Sequence, residues 1–228
     1  MVDHPYIQLV LKYPHSFLPD LFLVLALVTG LVNYLFLDKA SHWLFRMLIL
    51  SLGISLLQNH NAAYRLNNLY LYNLNSVAEI GCLTGAYWVE LKSKRNRTIL
   101  LISLGVYLSV FLYDFSWTKI AGITLGVQRI IMIVYALLYF HYILTKMQVQ
   151  NILIHAMFWI SAGAIVHAAG TLFVFLFVKV TLGDVSSNGS YGLYIQIVRA
   201  FTAFFYVVLI ISFWLRRREF RMAEHITV

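Results

Sequence analysis

Three ionisable side chains stand deep inside apolar runs of this chain: Glu79, Arg129 and Arg199. A carboxylate and two guanidinium groups in such surroundings can pair, pass protons, or hold an anion, since an arginine fork matches carboxylate or phosphate. Glu79 belongs to "NNLYLYNLNSVAEIG", residues 67–81. At about 100° per helical residue, Asn68, Tyr72, Asn75, Glu79, Cys82 and Ala86 fall on one stripe. Charges inside a membrane cost at least a few kcal/mol and turn toward partners or cavities, so that stripe faces inward.

Depth selects its partners. At about 1.5 Å per residue, Arg129 and Arg199 lie roughly 10 Å from one end of their runs and Glu79 roughly 15 Å from the same end. Gln128 and Gln196 accompany the arginines, His60 belongs to "QNHN" at 58–61, and His167 sits near mid-depth of its run with Thr171 above it. The candidate ligand-binding set is therefore Glu79, Arg129, Arg199, Asn75, Tyr72, Gln128, Gln196, His167 and His60. Two arginines against one glutamate leave one positive charge in excess, which suits a small anionic or zwitterionic ligand. The bland alternative is that one arginine neutralises Glu79, while the amides close interhelical hydrogen bonds of about 1 kcal/mol or less.

The elements that must position these residues follow from composition. The chain has 228 residues, 61% hydrophobic and 11% charged, with a mean hydropathy of +0.78. Soluble domains run at about half apolar and about a quarter charged, so lipid must solvate much of this surface. Seven apolar runs read as transmembrane helices: 18–37, 43–58, 68–91, 98–115, 122–144, 152–178 and 192–215. The second is short and the sixth long. The expected fold is all-α: a polytopic membrane protein whose seven helices form one bundle and one domain over residues 1–228. "MVDHPYIQLVLKYPHSF" lacks the basic leader and small-residue cleavage site of a signal peptide. Pro5, Pro14 and Pro19 all precede or open the first span, so proline kinks no later helix.

Basic residues set the direction. Lys12, Arg65, Lys119 and Lys179 fall on one side, against ten on the other: Lys39, Lys92, Lys94, Arg95, Arg97, Lys146, Arg216, Arg217, Arg218 and Arg221. The richer side is cytoplasmic by the positive-inside rule, which puts the N-terminus outside and the C-terminus inside the cell (inner) membrane. Trp43, Trp88 and Trp214 fit an aromatic belt at that inner face. The net charge of +8 is thus spent on topology, and no nucleic-acid partner is expected. Membrane lipids are, and Lys92–Arg97 and Arg216–Arg221 form basic edges suited to anionic headgroups or an acidic protein partner.

Other signals are weaker. Cys82 is the sole cysteine, so neither a disulfide nor a thiolate metal site is expected. His155 and His167 are about 120° out of register on one helix. No HxxxH or HExxH spacing supports a metal site joining His60, Glu79 and His167, and no metal or cofactor is expected. "SAGAIVHAAGT", residues 161–171, aligns Gly163, Ala164, His167, Gly170 and Thr171 on a face of small residues. Such a face packs closely against a neighbouring helix, or against a second copy in a homo-oligomer. Trp159 falls deeper than a belt residue, as a plug beneath the pocket or as ordinary packing.

At "NNLYLYN" and "FWISAGAIVHAAGTLFVF" the chain resembles uncharacterised seven-span membrane proteins common in the Bacteroidota. The matching positions are Asn67, Asn68, Tyr70, Tyr72, Asn73 and Glu79, then Phe158, Trp159, Ile160, Gly163, Gly170, Leu172, Phe173 and Phe175. His167 stands where that group tends to carry an aromatic. The resemblance implies the seven-span fold and no particular activity. Microbial rhodopsins, by contrast, need a lysine in the last span, where this chain has Arg199.

Three functional classes follow. The first is a binding or sensing protein with an outer polar pocket, signalling through a separate partner. The second is a small-solute or proton-coupled transporter with Glu79 as titrating group. The third is an intramembrane lipid-modifying enzyme, with Glu79 and His167 as its acid/base candidates. No catalytic triad is present, which favours the first.

Overall fold

The computed structural model describes residues 11, 17–146, 152–176 and 190–226. Seven α-helices and one 3-10 turn occur among them, and no strand. The helices are α1 (Leu18–Val32), α2 (Lys39–Ala63), α3 (Leu69–Glu90), α4 (Lys94–Asp114), α5 (Gly122–Lys146), α6 (Ala156–Leu176) and α7 (Ser190–Ile226). Five of them, α2, α4, α5, α6 and α7, are long and apolar enough to cross a membrane. That is the signature of a membrane protein. α1 is apolar but has 15 residues, about 22 Å against a hydrocarbon core of about 30 Å. α3 has 22 residues, but its asparagines and Glu79 lower its hydropathy.

Local chemistry sets the helix ends. Pro19 opens the first turn of α1, where its missing N–H costs nothing. Asn33 stops that helix: its backbone and side-chain N–H groups both donate to the Thr29 carbonyl, at 3.1 and 2.8 Å. After a 3-10 turn at Tyr34–Phe36, the Asp38 carboxylate accepts from the Ser41 backbone at 2.9 Å and caps α2.

These ends correct the sequence expectations. The second helix is not short, having 25 residues, and the sixth begins at Ala156 rather than 152, while residues 177 and 178 of that expected span lie outside the described residues. Hydropathy locates lipid-compatible surface. A helix can run past it through polar residues, as α2 does through Gln58–Asn61. An apolar turn such as residues 152–154, before α6, still reads as span. α7 likewise continues beyond the expected end at 215 to Ile226.

Six helices close a ring in the order α1, α2, α3, α5, α6, α7, with α7 returning to α1. α4 lies outside it, packed against α3 and α5, and buries only Asn96, Leu100 and Tyr107. α3 therefore touches three neighbours, which explains its two buried faces. The core is rich in tyrosines whose hydroxyls are satisfied, as burial requires. Tyr107 pairs with Ser76 at 2.7 Å, Tyr87 with Ser161 at 3.0 Å, and Tyr135 with Thr84 at 3.1 Å.

The small-residue face of α6 is used inside the chain, against α7, rather than left for a second copy. A Cβ at Gly163 would meet Val208 Cγ1 at 2.7 Å and Val208 Cβ at 3.0 Å. Valine is stiff at χ1, so the helices would have to part. Gly163→Ala is expected to destabilise the bundle by about 1–3 kcal/mol. Gly105→Ala on α4, with nothing within 4 Å of the new Cβ, should gain up to about 1 kcal/mol of helix propensity. Denaturation of both variants in detergent measures the contrast.

Candidate functional site

The asparagines that open α3 divide into two groups. Asn67, Asn68 and Asn73 tie backbone together. Asn67 Nδ2 donates to the Trp117 carbonyl at 2.6 Å, and Asn68 Nδ2 to that of Gln58 at 3.4 Å. Asn73, fully buried, donates to the Ser116 and Lys119 carbonyls at 3.0 and 3.1 Å and accepts from the Ala121 N–H at 3.0 Å. It pins the α4–α5 connection to α3. Asn75 differs: it lines a cavity, and its Oδ1 is buried with no hydrogen-bond partner among the described residues.

Nearly three turns into the helix, Glu79 gathers α3, α5 and α6. Its Oε1 accepts from Arg129 Nη1 at 3.1 Å and its Oε2 from Gln128 Nε2 at 2.8 Å. His167 Nε2 lies 3.8 Å from Oε1, with its ring stacked 5.2 Å from that of Phe205. Gln128 Nε2 also reaches the Ser76 carbonyl at 3.2 Å. The Arg129 guanidinium lies 5.5 Å from the Phe175 ring centroid. Glu79, Gln128, Arg129 and His167 are all buried. The carboxylate is thus matched by one cation and one amide, as a low-dielectric site demands.

Above this knot, at the end carrying the α2–α3 and α4–α5 connections, opens a cavity of about 610 Å³. That volume suits a small organic ligand, for which pockets of about 300–1,000 Å³ are usual. Tyr72 and Asn75 of α3, Arg129 of α5, and Gln196 and Arg199 of α7 line it. Of the nine residues the sequence singles out, the structure brings these five to the cavity lining. Glu79, Gln128 and His167 are not part of that lining: Glu79 pairs with Arg129 and has Gln128 and His167 beside it. His60 is elsewhere: it is exposed on the last turn of α2, its ring 4.8 Å from that of Tyr64. Among the described residues no three His, Cys, Asp or Glu side chains group as metal ligands.

Sequence reasoning missed the part of the lining that α1 and α2 contribute. Asp20 of α1 lines the cavity with Ser55 and Asn59 of α2. Ser55 Oγ donates to Asp20 Oδ1 at 2.5 Å and Asn59 Nδ2 to Oδ2 at 2.9 Å. An acid in the first turn of the first span reads as an interfacial end residue. The usable signal was the four-residue spacing of Ser55 and Asn59, which points two neutral donors one way. Asp20 also corrects the charge balance. Two arginines face two carboxylates, so the site carries no positive excess.

The far end of the bundle is tied by other charges. Arg216 donates to both Asp38 and Glu219, His155 Nε2 lies 3.6 Å from Glu219, and Tyr139 Oη lies 2.9 Å from His155 Nδ1. Of the basic edge at Arg216–Arg221, Arg216 is thus committed within the chain, and Arg218 stacks over Trp214 at 3.8 Å. Lys92, Lys94 and Arg95 of the other edge are exposed. Trp159 is no deep plug. It lies in the first turn of α6, and its indole donates to the Leu153 carbonyl at 2.8 Å.

Set against protein-family models, curated proteins and solved structures, the chain finds no match.

Proposed function

We propose that this chain is a multi-pass protein of the cell (inner) membrane, with seven spans, an outer N-terminus and an inner C-terminus. It binds a small anionic or zwitterionic molecule at its outer end and relays occupancy to a separate partner. One observation carries the reading: Arg199, half-buried on the cavity wall, has no carboxylate or hydrogen-bond partner among the described residues. Such a charge is expensive in a membrane protein unless a ligand or water meets it. The floor supports binding over transport. Beyond Glu79 the bundle is filled by Tyr87, Tyr135, Tyr139 and Phe213, each fully buried.

The test is a thermal-shift titration of the purified chain with small carboxylates, phosphates and amino acids. Arg199→Gln should leave the ligand-free midpoint unchanged and weaken a hit by roughly 10- to 100-fold, the loss of one charge-assisted contact. Undiminished binding by that variant overturns the assignment.

A further inference from the structure

The electrostatics of the cavity narrow the ligand class; this step rests on the binding role just proposed. Asp20 and Arg199 line the same cavity from α1 and α7, neighbouring helices of the ring. Neither is ion-paired among the described residues. The Asp20 carboxylate is met by a hydroxyl and an amide, which orient it and leave its charge uncancelled. A carboxylate also has about four lone-pair sites, so two remain for a ligand. Arg129 is neutralised from behind by Glu79 through Nη1, and its Nε has no hydrogen-bond partner among the described residues. The lining thus presents one open anion and one open cation, together with the guanidinium of Arg129.

We infer that the cavity recognises a zwitterion, its ammonium group held at Asp20 and its carboxylate or phosphate at Arg199 and Arg129. A simple anion would satisfy the arginines but bring a second negative charge into the cavity with Asp20. A simple cation would do the reverse at Arg199. Only a ligand carrying both charges meets both groups, and Ser55 and Asn59 hold the carboxylate where a cation can reach it. The same headgroup chemistry exists in free solutes and in phosphatidylethanolamine.

The experiment uses the full chain in detergent and in nanodiscs, with probes matched in skeleton. An ω-amino carboxylate series from glycine to 8-aminooctanoate scans charge separation, against the corresponding carboxylates and alkylamines. Phosphoethanolamine is set against ethyl phosphate and ethanolamine, and glycerophosphoethanolamine against nanodiscs of phosphatidylethanolamine. At least one zwitterion should bind roughly tenfold or more tightly than both of its single-charge partners, in line with one charge-assisted contact at each end. Asp20→Asn should erase its advantage over the anion, while Arg199→Gln should weaken both. Preference for the soluble headgroup or for the lipid identifies the source. Equal binding of zwitterion and anion by the wild type overturns the inference and leaves the anion site standing, and this arm needs no variant to fold. Failure of every probe to bind overturns the pocket reading itself.

Discussion

Glu79→Gln is expected to lower the stability of the bundle by about 3–5 kcal/mol, the cost of breaking a buried ion pair from one side. The glutamine can still meet Gln128, but Arg129, 6% exposed, is left with its charge unmatched. Among the described residues, its guanidinium then keeps Met132 Sδ at 3.1 Å and the Phe175 ring at 5.5 Å. The midpoint of unfolding in mild detergent reads the loss. The double variant Glu79→Gln/Arg129→Gln should recover much of it, because removing both charges removes the burial penalty of each. An unchanged or raised midpoint in the single variant would mean that the carboxylate is retained at a cost to the fold, as functional groups often are. The same variant leaves the Arg129 charge on the cavity lining without its carboxylate partner, so simple anions should bind it more tightly than they bind the wild type.

Asn73→Ala should have the next largest effect on stability, roughly 3 kcal/mol. Three hydrogen bonds vanish at about 1 kcal/mol each, and the buried Ala121 N–H is left without its acceptor. The consequence is also local. Amide exchange at Ala121 should rise well before the helices unfold, since that donor depends on the Asn73 side chain alone. Asn67→Ala, at an exposed site whose side chain donates to the Trp117 carbonyl and accepts from the Leu69 N–H, should cost less, since water can replace both partners. A matched loss in both variants would show that the α4–α5 connection is not held through Asn73.

Much of this was legible in the residues because burial in lipid leaves few options for a polar group. The stripe through Asn75 and Glu79 had to face inward, and the depths of Arg129 and Glu79, reckoned at the helical rise, put them within reach of each other. His60 misled because a polar end-run such as "QNHN" looks the same whether it lines a cavity or rounds off a helix. Asp20 escaped notice for a related reason. Near a span end a carboxylate is cheap, so its presence carries little information until a neighbouring helix is seen to donate to it. The tyrosine hydroxyl network was invisible because tyrosine, serine and threonine pass as ordinary members of apolar helices. Only the ring order of the helices tells which of them meet.

α7 is a single rod of 37 residues, about 55 Å at the helical rise. Arg199 sits near one end of it, and the segment from there to Ile226 measures about 40 Å. Rods convert angle into distance. A tilt of about 5° around the level of Arg199 carries Arg216, about 25 Å along the rod, through roughly 2 Å, enough to pull it off Asp38 while the cavity wall barely moves. The helix that contributes the open cation is in this sense a lever with its short arm in the cavity.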